Sequence, residues 1–251
     1  MDNIGNYNLG FISDEDIYNH VKATVEKYRT SINLQEFNDN IVDPIKMTFD
    51  AKLYGKSMQD MIEQECIRQI DKTNTNNIGY FHQYLFKYAG NGWDVPKNGV
   101  NGFDVTNENK HIFCEVKNKH NTMNSSAASS NYLKMQHKIL EDDKAVCYLV
   151  QIIAKKSTDE PWKITVDGKQ YCHERIRKIS IDQFYGIVFG DTRAFMRLCE
   201  ALPHILDDIL RNNPNTLLSN SVFDELKQYN EDAIRSLYLL AFSTYEGFKD
   251  F

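Results

Sequence analysis

The chain has 251 residues, with 29 basic and 35 acidic side chains, a formal net charge of −6 and a hydrophobic content of 41%. This composition is typical of a folded globular protein and excludes disordered, collagen-like and coiled-coil classes, and we expect no membrane span. Basic residues nevertheless outnumber acidic residues in the middle of the chain, residues 72–181, so a polyanion would be attracted to that part.

The N-terminal third of the sequence predicts helices. Ser13 precedes an acidic turn and apolar residues at helical spacing, which is the pattern of a capped helix start. Ser57 and Asp60 have the spacing of a capping box and predict the start of a second helix. We expect that helix to end at residues 74–77, and the aromatic residues of 80–88 to form a separate buried helix.

The pattern of the middle segment changes to that of strands. Residues 99–106 and 111–117 predict two strands, and the polar residues 118–130 that follow predict a loop. A helix is expected over residues 132–140. The continuous apolar run of residues 145–154 predicts a strand that is covered on both faces.

The remaining residues predict a hairpin and further helices. Asp167 and Gly168 form a hairpin turn pattern between two short strands. Helices are expected from Asp182 onward, with breaks at Pro203 and Pro214. The whole order predicts an α/β fold in which helices flank a central mixed β-sheet. We expect one domain, with a helical segment at 1–76, a core at 77–195 and a second helical segment at 196–251.

The five cysteines predict reduced thiols. Their number is odd and no C-x-x-C pair occurs, which argues against both a disulfide framework and a zinc ribbon. The first residues also lack the basic and apolar blocks of a signal peptide. We therefore expect a cytoplasmic location.

One acid-x-Lys triplet has an informative context. Of six such triplets, only Glu115-Val116-Lys117 lies in an apolar, β-like run. Residues two apart on a strand share a face, so Glu115 and Lys117 are expected to point the same way. A hairpin would bring Asp104, on the preceding strand, beside Glu115. Two carboxylates can bind a hard cation such as Mg²⁺, and a nearby lysine can serve an attacking water. An ordinary cross-strand ion pair is the alternative.

This constellation resembles the PD-(D/E)XK nuclease superfamily, although Phe103 stands where its name has a proline. The flanking residues resemble the type II restriction endonucleases that cut GGNCC. The similarity extends over about half of the chain, and the segments that carry it are residues 78–83, 115–126, 147–150 and 179–182.

The resemblance implies a restriction-endonuclease-like core and specific roles for its residues. Asp104 and Glu115 would bind Mg²⁺, for which Mn²⁺ could substitute, and Lys117 would lie beside the attacking water. A third acid often comes from an upstream helix in such enzymes. Glu65 is the preferred candidate and Glu63 the other, while both can equally be solvated helix charges.

The polar residues after the triplet are candidates for DNA contacts. Asn, Lys, Ser and Thr side chains can bind base edges or phosphates in DNA. A solvated linker is the alternative. The candidate DNA-binding residues are Asn118, Lys119, His120, Asn121, Thr122, Asn124, Ser125 and Ser126.

The sequence thus predicts a Mg²⁺-dependent type II restriction endonuclease that cuts double-stranded DNA at a short palindromic, GC-rich site and leaves 5′-phosphates. A palindrome calls for a homodimer, and a host would need a cognate DNA methyltransferase. A non-specific or structure-specific nuclease of repair or recombination is one alternative. A DNA-binding module without catalysis and a structural protein that makes no nucleic-acid contact are the others.

Overall fold

The computed structural model describes residues 4–96, 102–120, 123–166, 168–211, 218–245 and 248. Its chain forms two compact units. The first comprises Met1–Glu26 and Asn76–Pro214, and the second comprises Lys27–Thr75 and Asn215–Phe251. The expected division into three consecutive segments of one domain stays a prediction.

A six-stranded mixed sheet forms the centre of the first unit. Its strands are β2 (Trp93–Asp94), β3 (Val105–Asn107), β4 (Ile112–Lys119), β5 (Val146–Ile153), β6 (Asp159–Pro161) and β9 (Ile176–Ser180). The spatial order is β2-β3-β4-β5-β9-β6, in which β4, β5 and β9 are parallel and the other pairings are antiparallel. A separate hairpin pairs β7 (Ile164–Val166) with β8 (Lys169–Tyr171).

Helices cover both faces of this sheet. Among the described residues, four α-helices lie wholly in the first unit: α1 (Asp14–Val25), α5 (Ser125–Glu141), α6 (Ile181–Phe189) and α7 (Ala194–Leu210). Cys114 and Val116 of β4 point into the apolar core that contains buried residues of α1, α6 and α7. Phe113 points to the opposite face, into a second core that contains Tyr132 and Met135 of α5. The expected mixed sheet between helices is therefore confirmed.

The second unit is helical and has its own apolar core. Its two short strands, β1 (Ser31–Ile32) and β10 (Ser219–Asn220), pair in parallel. In the part of this unit that the structure describes, four α-helices lie wholly within it: α2 (Leu34–Asn38), α3 (Pro44–Tyr54), α8 (Val222–Tyr229) and α9 (Ala233–Phe242). The boundary between the units falls inside α4 (Met58–Leu85).

The capping residues were predicted correctly. The hydroxyl of Ser13 accepts a hydrogen bond from the backbone N–H of Asp16 at the start of α1. Ser57 and Asp60 form the expected reciprocal pair: each side chain accepts a hydrogen bond from the backbone N–H of the other residue, at 3.1 and 3.2 Å. The strand expected over residues 145–154 and the hairpin around Gly168 are also present, although Asp167 lies outside the described residues.

Two predicted boundaries are wrong. Residues 74–77 do not end a helix, because α4 continues through them to Leu85, with Asn74 bonded to the backbone of Arg29. Pro203 lies inside α7. The apolar residues of α7 are buried on both sides of Pro203, so packing outweighs the hydrogen bond that a proline removes. The predicted break at Pro214 lies outside the described residues.

The first predicted strand of the middle segment is shorter than expected. The sequence predicts residues 99–106, but within the described residues the strand begins only at Val105. No helix in the described ranges has the length and apolar character needed to cross a membrane.

Candidate active site

The centre of the candidate site is an ion pair on β4. Lys117 Nζ donates a hydrogen bond to Glu115 Oε1 at 2.6 Å. Both side chains project from the face that α5 covers, while Cys114 and Val116 enter the core on the opposite face. The alternation expected for this strand is therefore confirmed. The Glu115 side chain is only 9% exposed, so its carboxylate is largely removed from water.

Asp104 lies opposite Glu115 across the β3–β4 hairpin. Val105 pairs with Cys114, and this register continues by one residue to place Asp104 beside Glu115. The Asp104 N–H donates to the Cys114 carbonyl at 2.9 Å. Asp104 Oδ2 in turn accepts a hydrogen bond from the Val116 N–H at 2.8 Å. The backbone of β4 therefore holds the Asp104 carboxylate beside that of Glu115, as the sequence predicts.

The surroundings of Asp104 disfavour its charged form. Burial raises the pKa of Asp104 above its usual range, and the negative charge of Glu115 raises it further. The hydrogen bond from Val116 and the positive charges of two lysines lower this pKa, but they do not cancel the increase. A hard divalent cation bound to both carboxylates would offset their repulsion and their loss of hydration.

Lys134 is a component of the site that the sequence analysis missed. It projects from α5, and its Nζ donates to Glu115 Oε2 at 2.6 Å. The same ammonium group also donates to the Gly102 carbonyl. The Nζ of Lys134 also lies over the ring of Phe103, 4.8 Å from the ring centroid. Glu115 is consequently bonded by one ammonium group on each carboxylate oxygen.

A glycine allows the chain to approach Lys134 closely. Gly102 has a positive φ of 74°, and a Cβ at this position would lie 3.1 Å from the Cδ atom of Lys134. A larger residue would therefore strain the backbone and also press on the lysine. One signal for Lys134 was visible in the sequence, because residues 117–138 contain four lysines and no acid.

The donor set fits a metal such as Mg²⁺. Asp104 and Glu115 supply carboxylate oxygens, which this ion prefers, and proteins often bind it through only one or two carboxylates. Among the described residues, no group of three or more His, Cys, Asp or Glu side chains is arranged to hold a metal ion. The fit therefore depends on two carboxylates, with water and substrate left to complete the coordination.

The candidates for a third acid lie on the part of α4 that belongs to the second unit. The guanidinium of Arg68 donates to both oxygens of Glu65 at 2.5 and 2.6 Å, and Gln69 Nε2 donates to Oε1 at 3.1 Å. Glu63 accepts a hydrogen bond from Gln59 at 3.0 Å. A role for Glu65 in the active site stays a prediction.

The polar residues after the triplet do not form the expected loop. Asn118 and Lys119 are the last residues of β4. His120 follows, and its N–H donates to the Ile153 carbonyl at 3.0 Å, which continues the sheet register. Asn121 and Thr122 lie outside the described residues.

The other half of this stretch is the start of a helix. The side chain of Asn124 accepts a hydrogen bond from the Ala127 N–H at 2.8 Å and caps α5. Ser125 and Ser126 form the first turn. An Asn cap three residues before an alanine pair is sufficient to begin a helix, so the polar composition was misread as a loop.

Comparison with known proteins places this chain in a family. A family model, the Eco47II restriction endonuclease, matches residues 9–211. The type II restriction enzyme Sau96I of Staphylococcus aureus is 34% identical over 211 residues, which is 80% of each chain. The type II restriction enzyme Eco47II of Escherichia coli is 32% identical over 216 residues, which is 80% of this chain and 88% of the relative. Asp104, Glu115, Lys117 and Lys134 all lie within the range that the family model matches.

Proposed function

Since the chain belongs to the Eco47II restriction endonuclease family, and is therefore a site-specific deoxyribonuclease, we propose that it hydrolyses double-stranded DNA at a short palindromic site of the GGNCC type. The cleavage depends on Mg²⁺, for which Mn²⁺ can substitute, and leaves 5′-phosphates. The observation that carries this proposal is the placement of Asp104, directly before β3, beside Glu115 and Lys117 of β4.

Each residue of this constellation has a distinct task. Asp104 and Glu115 would hold a metal ion, which when bound would stabilise negative charge on the phosphate and lower the pKa of a water molecule. The ammonium group of Lys117 orients the attacking water beside them. The water oxygen forms a bond to phosphorus and releases a proton to solvent as the bond to the 3′-oxygen breaks. The 3′-oxygen takes up a proton from solvent, which gives a 3′-hydroxyl and a 5′-phosphate. Glu65 is retained as the candidate for a third acid.

The polar residues from the end of β4 to the first turn of α5 contact DNA in this proposal. Those at the end of β4 follow Lys117 directly, which supports a contact near the scissile phosphate. The Asn124 side chain uses its oxygen to cap α5, which leaves its amide N–H groups for a phosphate or a base. The full set is Asn118, Lys119, His120, Asn121, Thr122, Asn124, Ser125 and Ser126.

A palindromic site has implications for the partners of this enzyme. Two identical half-sites suit a homodimer with one active centre for each strand. A cognate DNA methyltransferase would protect the host genome from cleavage. All five cysteines are free, which accords with action in a reducing cytoplasm.

The direct test is a digest of unmethylated phage DNA with Mg²⁺, beside an EDTA control, with the fragment ends sequenced. Discrete fragments with a common GGNCC end would support the proposal in full. A smear would instead support a non-specific nuclease of repair or recombination. Binding without cleavage would indicate a DNA-binding module.

Two substitutions test the assignment of the residues. Asp104→Ala and Lys117→Ala should each abolish cleavage and leave specific binding to the same duplex largely intact. Binding should weaken steeply as salt is raised, because a net-negative protein attracts DNA only through a local basic surface. Retained cleavage in both variants would contradict the catalytic assignment.

A further inference from the structure

A cleft of about 390 Å³ opens beside the candidate catalytic centre. Gln151 of β5 forms part of its wall and pairs in register with Lys117 of β4. Neighbouring strands in a sheet lie about 4.8 Å apart. The cleft is therefore one strand further from Asp104 than Lys117 is, on the same face of the sheet. Of the residues that line it, only His120 is among the DNA-binding residues proposed above.

Gln151 is the unusual residue of this cleft. Its side chain is buried, with the residue only 6% exposed. Among the residues that the structure describes, this amide has no hydrogen-bond partner, yet it borders the open space of the cleft. Its amide atoms are not among the fully buried polar atoms that lack a partner, so its hydrogen-bonding groups are open to the cleft. An amide held in this state is suited to bind a group that enters the cleft.

The charge around the cleft favours an anion. Lys155 and Lys156 are exposed at its rim, and Lys178 lies on its wall. The acid among its lining residues, Glu160, pairs with Lys178 at 3.0 Å. Two lysine charges therefore remain beyond that ion pair, and His120 adds a further ring donor.

We propose that this cleft binds a backbone phosphate of the cleaved DNA strand, next to the scissile phosphate. The amide N–H of Gln151 donates to a non-bridging oxygen, and Lys155 and Lys156 neutralise its charge. A phosphate bound one strand away from Lys117 would position the neighbouring scissile phosphate beside the two carboxylates. This inference rests on the proposed function, because it assumes DNA as the substrate.

The test combines protein and DNA substitutions. Gln151→Met keeps the length of the side chain and removes its amide, while Gln170→Met makes the same change on the exposed strand β8. Duplexes that contain the cleavage site carry one neutral methylphosphonate at each phosphate in turn. Affinity is measured with EDTA, and single-turnover cleavage is measured with Mg²⁺.

At one phosphate, the effect of Gln151→Met and the effect of removing the phosphate charge should not be additive. Gln151→Met should bind unmodified DNA about 10-fold more weakly, as is typical for loss of a hydrogen bond to a charged group. Wild type should lose a similar factor when one phosphate beside the scissile one is neutral, and Gln151→Met should lose little more on that duplex. Gln170→Met should behave as wild type on every duplex.

Other outcomes would overturn the inference. Equal binding and cleavage by Gln151→Met and wild type would show that the amide contacts no phosphate. An equal loss on every duplex would show that its role is structural. The double variant Lys155→Ala/Lys156→Ala alters only exposed side chains and should show the same non-additive effect. It therefore tests the proposal even if the Gln151→Met variant does not fold. If wild type does not cut DNA, the proposed function itself is wrong.

Discussion

Replacing Lys134 by methionine should strengthen metal binding at the candidate active site. Glu115 is bonded by Lys117 on one oxygen and by Lys134 on the other, each at 2.6 Å. Lys134 therefore bonds a carboxylate oxygen that a metal ion would also use. Lys134→Met removes this competing charge and keeps an unbranched apolar side chain.

The size of this effect follows from simple electrostatics. Two unit charges 4 Å apart interact by about 1 kcal/mol in water and about 4 kcal/mol at the effective dielectric constant of a protein surface. A divalent ion doubles the repulsion, but solvent reduces it, since the Lys134 side chain is 26% exposed. We expect a gain of about 1–3 kcal/mol, which is roughly a 5- to 150-fold lower Kd.

The measurement is titration of the DNA-free protein with Mn²⁺, followed by calorimetry or electron paramagnetic resonance. Lys138→Met is the matched control, because Lys138 lies one turn further along α5 over the ring of Phe113 and pairs with Glu141 instead of Glu115. Its Kd should stay within about 2-fold of wild type. An unchanged or higher Kd in a folded Lys134→Met variant would refute the idea that Lys134 competes with the metal.

Two further predictions concern ionisation. Because burial and Glu115 raise the pKa of Asp104, its charged form destabilises the metal-free fold. Asp104→Asn should therefore melt higher than wild type near neutral pH, with an advantage that disappears as the pH falls to about 3.9, the ordinary value; a constant difference across pH would contradict this. Burial raises the pKa of both Cys66 and Cys147 to about 12, whereas Cys172 is exposed. In peptide mapping after maleimide treatment at pH 8, Cys172 should be labelled in the native protein and the other two only after unfolding, and early labelling of Cys147 would show that β5 opens.

The strand that carries the triplet could be predicted because its information is local. Alternation along a strand determines that Glu115 and Lys117 share a face, whatever surrounds it. The hairpin to Asp104 is also local, since only a short turn separates the two strands. These two facts were enough to assemble the carboxylate pair from the sequence.

The parts that were missed depend on contacts between distant elements. Lys134 reaches Glu115 only because α5 packs across β4, and no spacing in the sequence encodes that crossing. The start of α5 was missed because an Asn cap and polar first-turn residues have the composition of a loop. Pro203 was read as a break because its local cost is visible and the packing of α7 is not.

The sheet register explains why the polar side chains lie at one end of the parallel strands. Along the face under α5, the strands begin with apolar pairs such as Phe113 with Cys147 and change to Lys117 with Gln151 two rows later. This change occurs towards the carboxyl ends of the parallel strands β4 and β5. Open α/β sheets bind ligands beyond these ends, where the chain leaves the sheet and the helices no longer cover it. Lys117 and Gln151 are thus neighbours in one row, so a single DNA strand that crosses this end of the sheet would meet both.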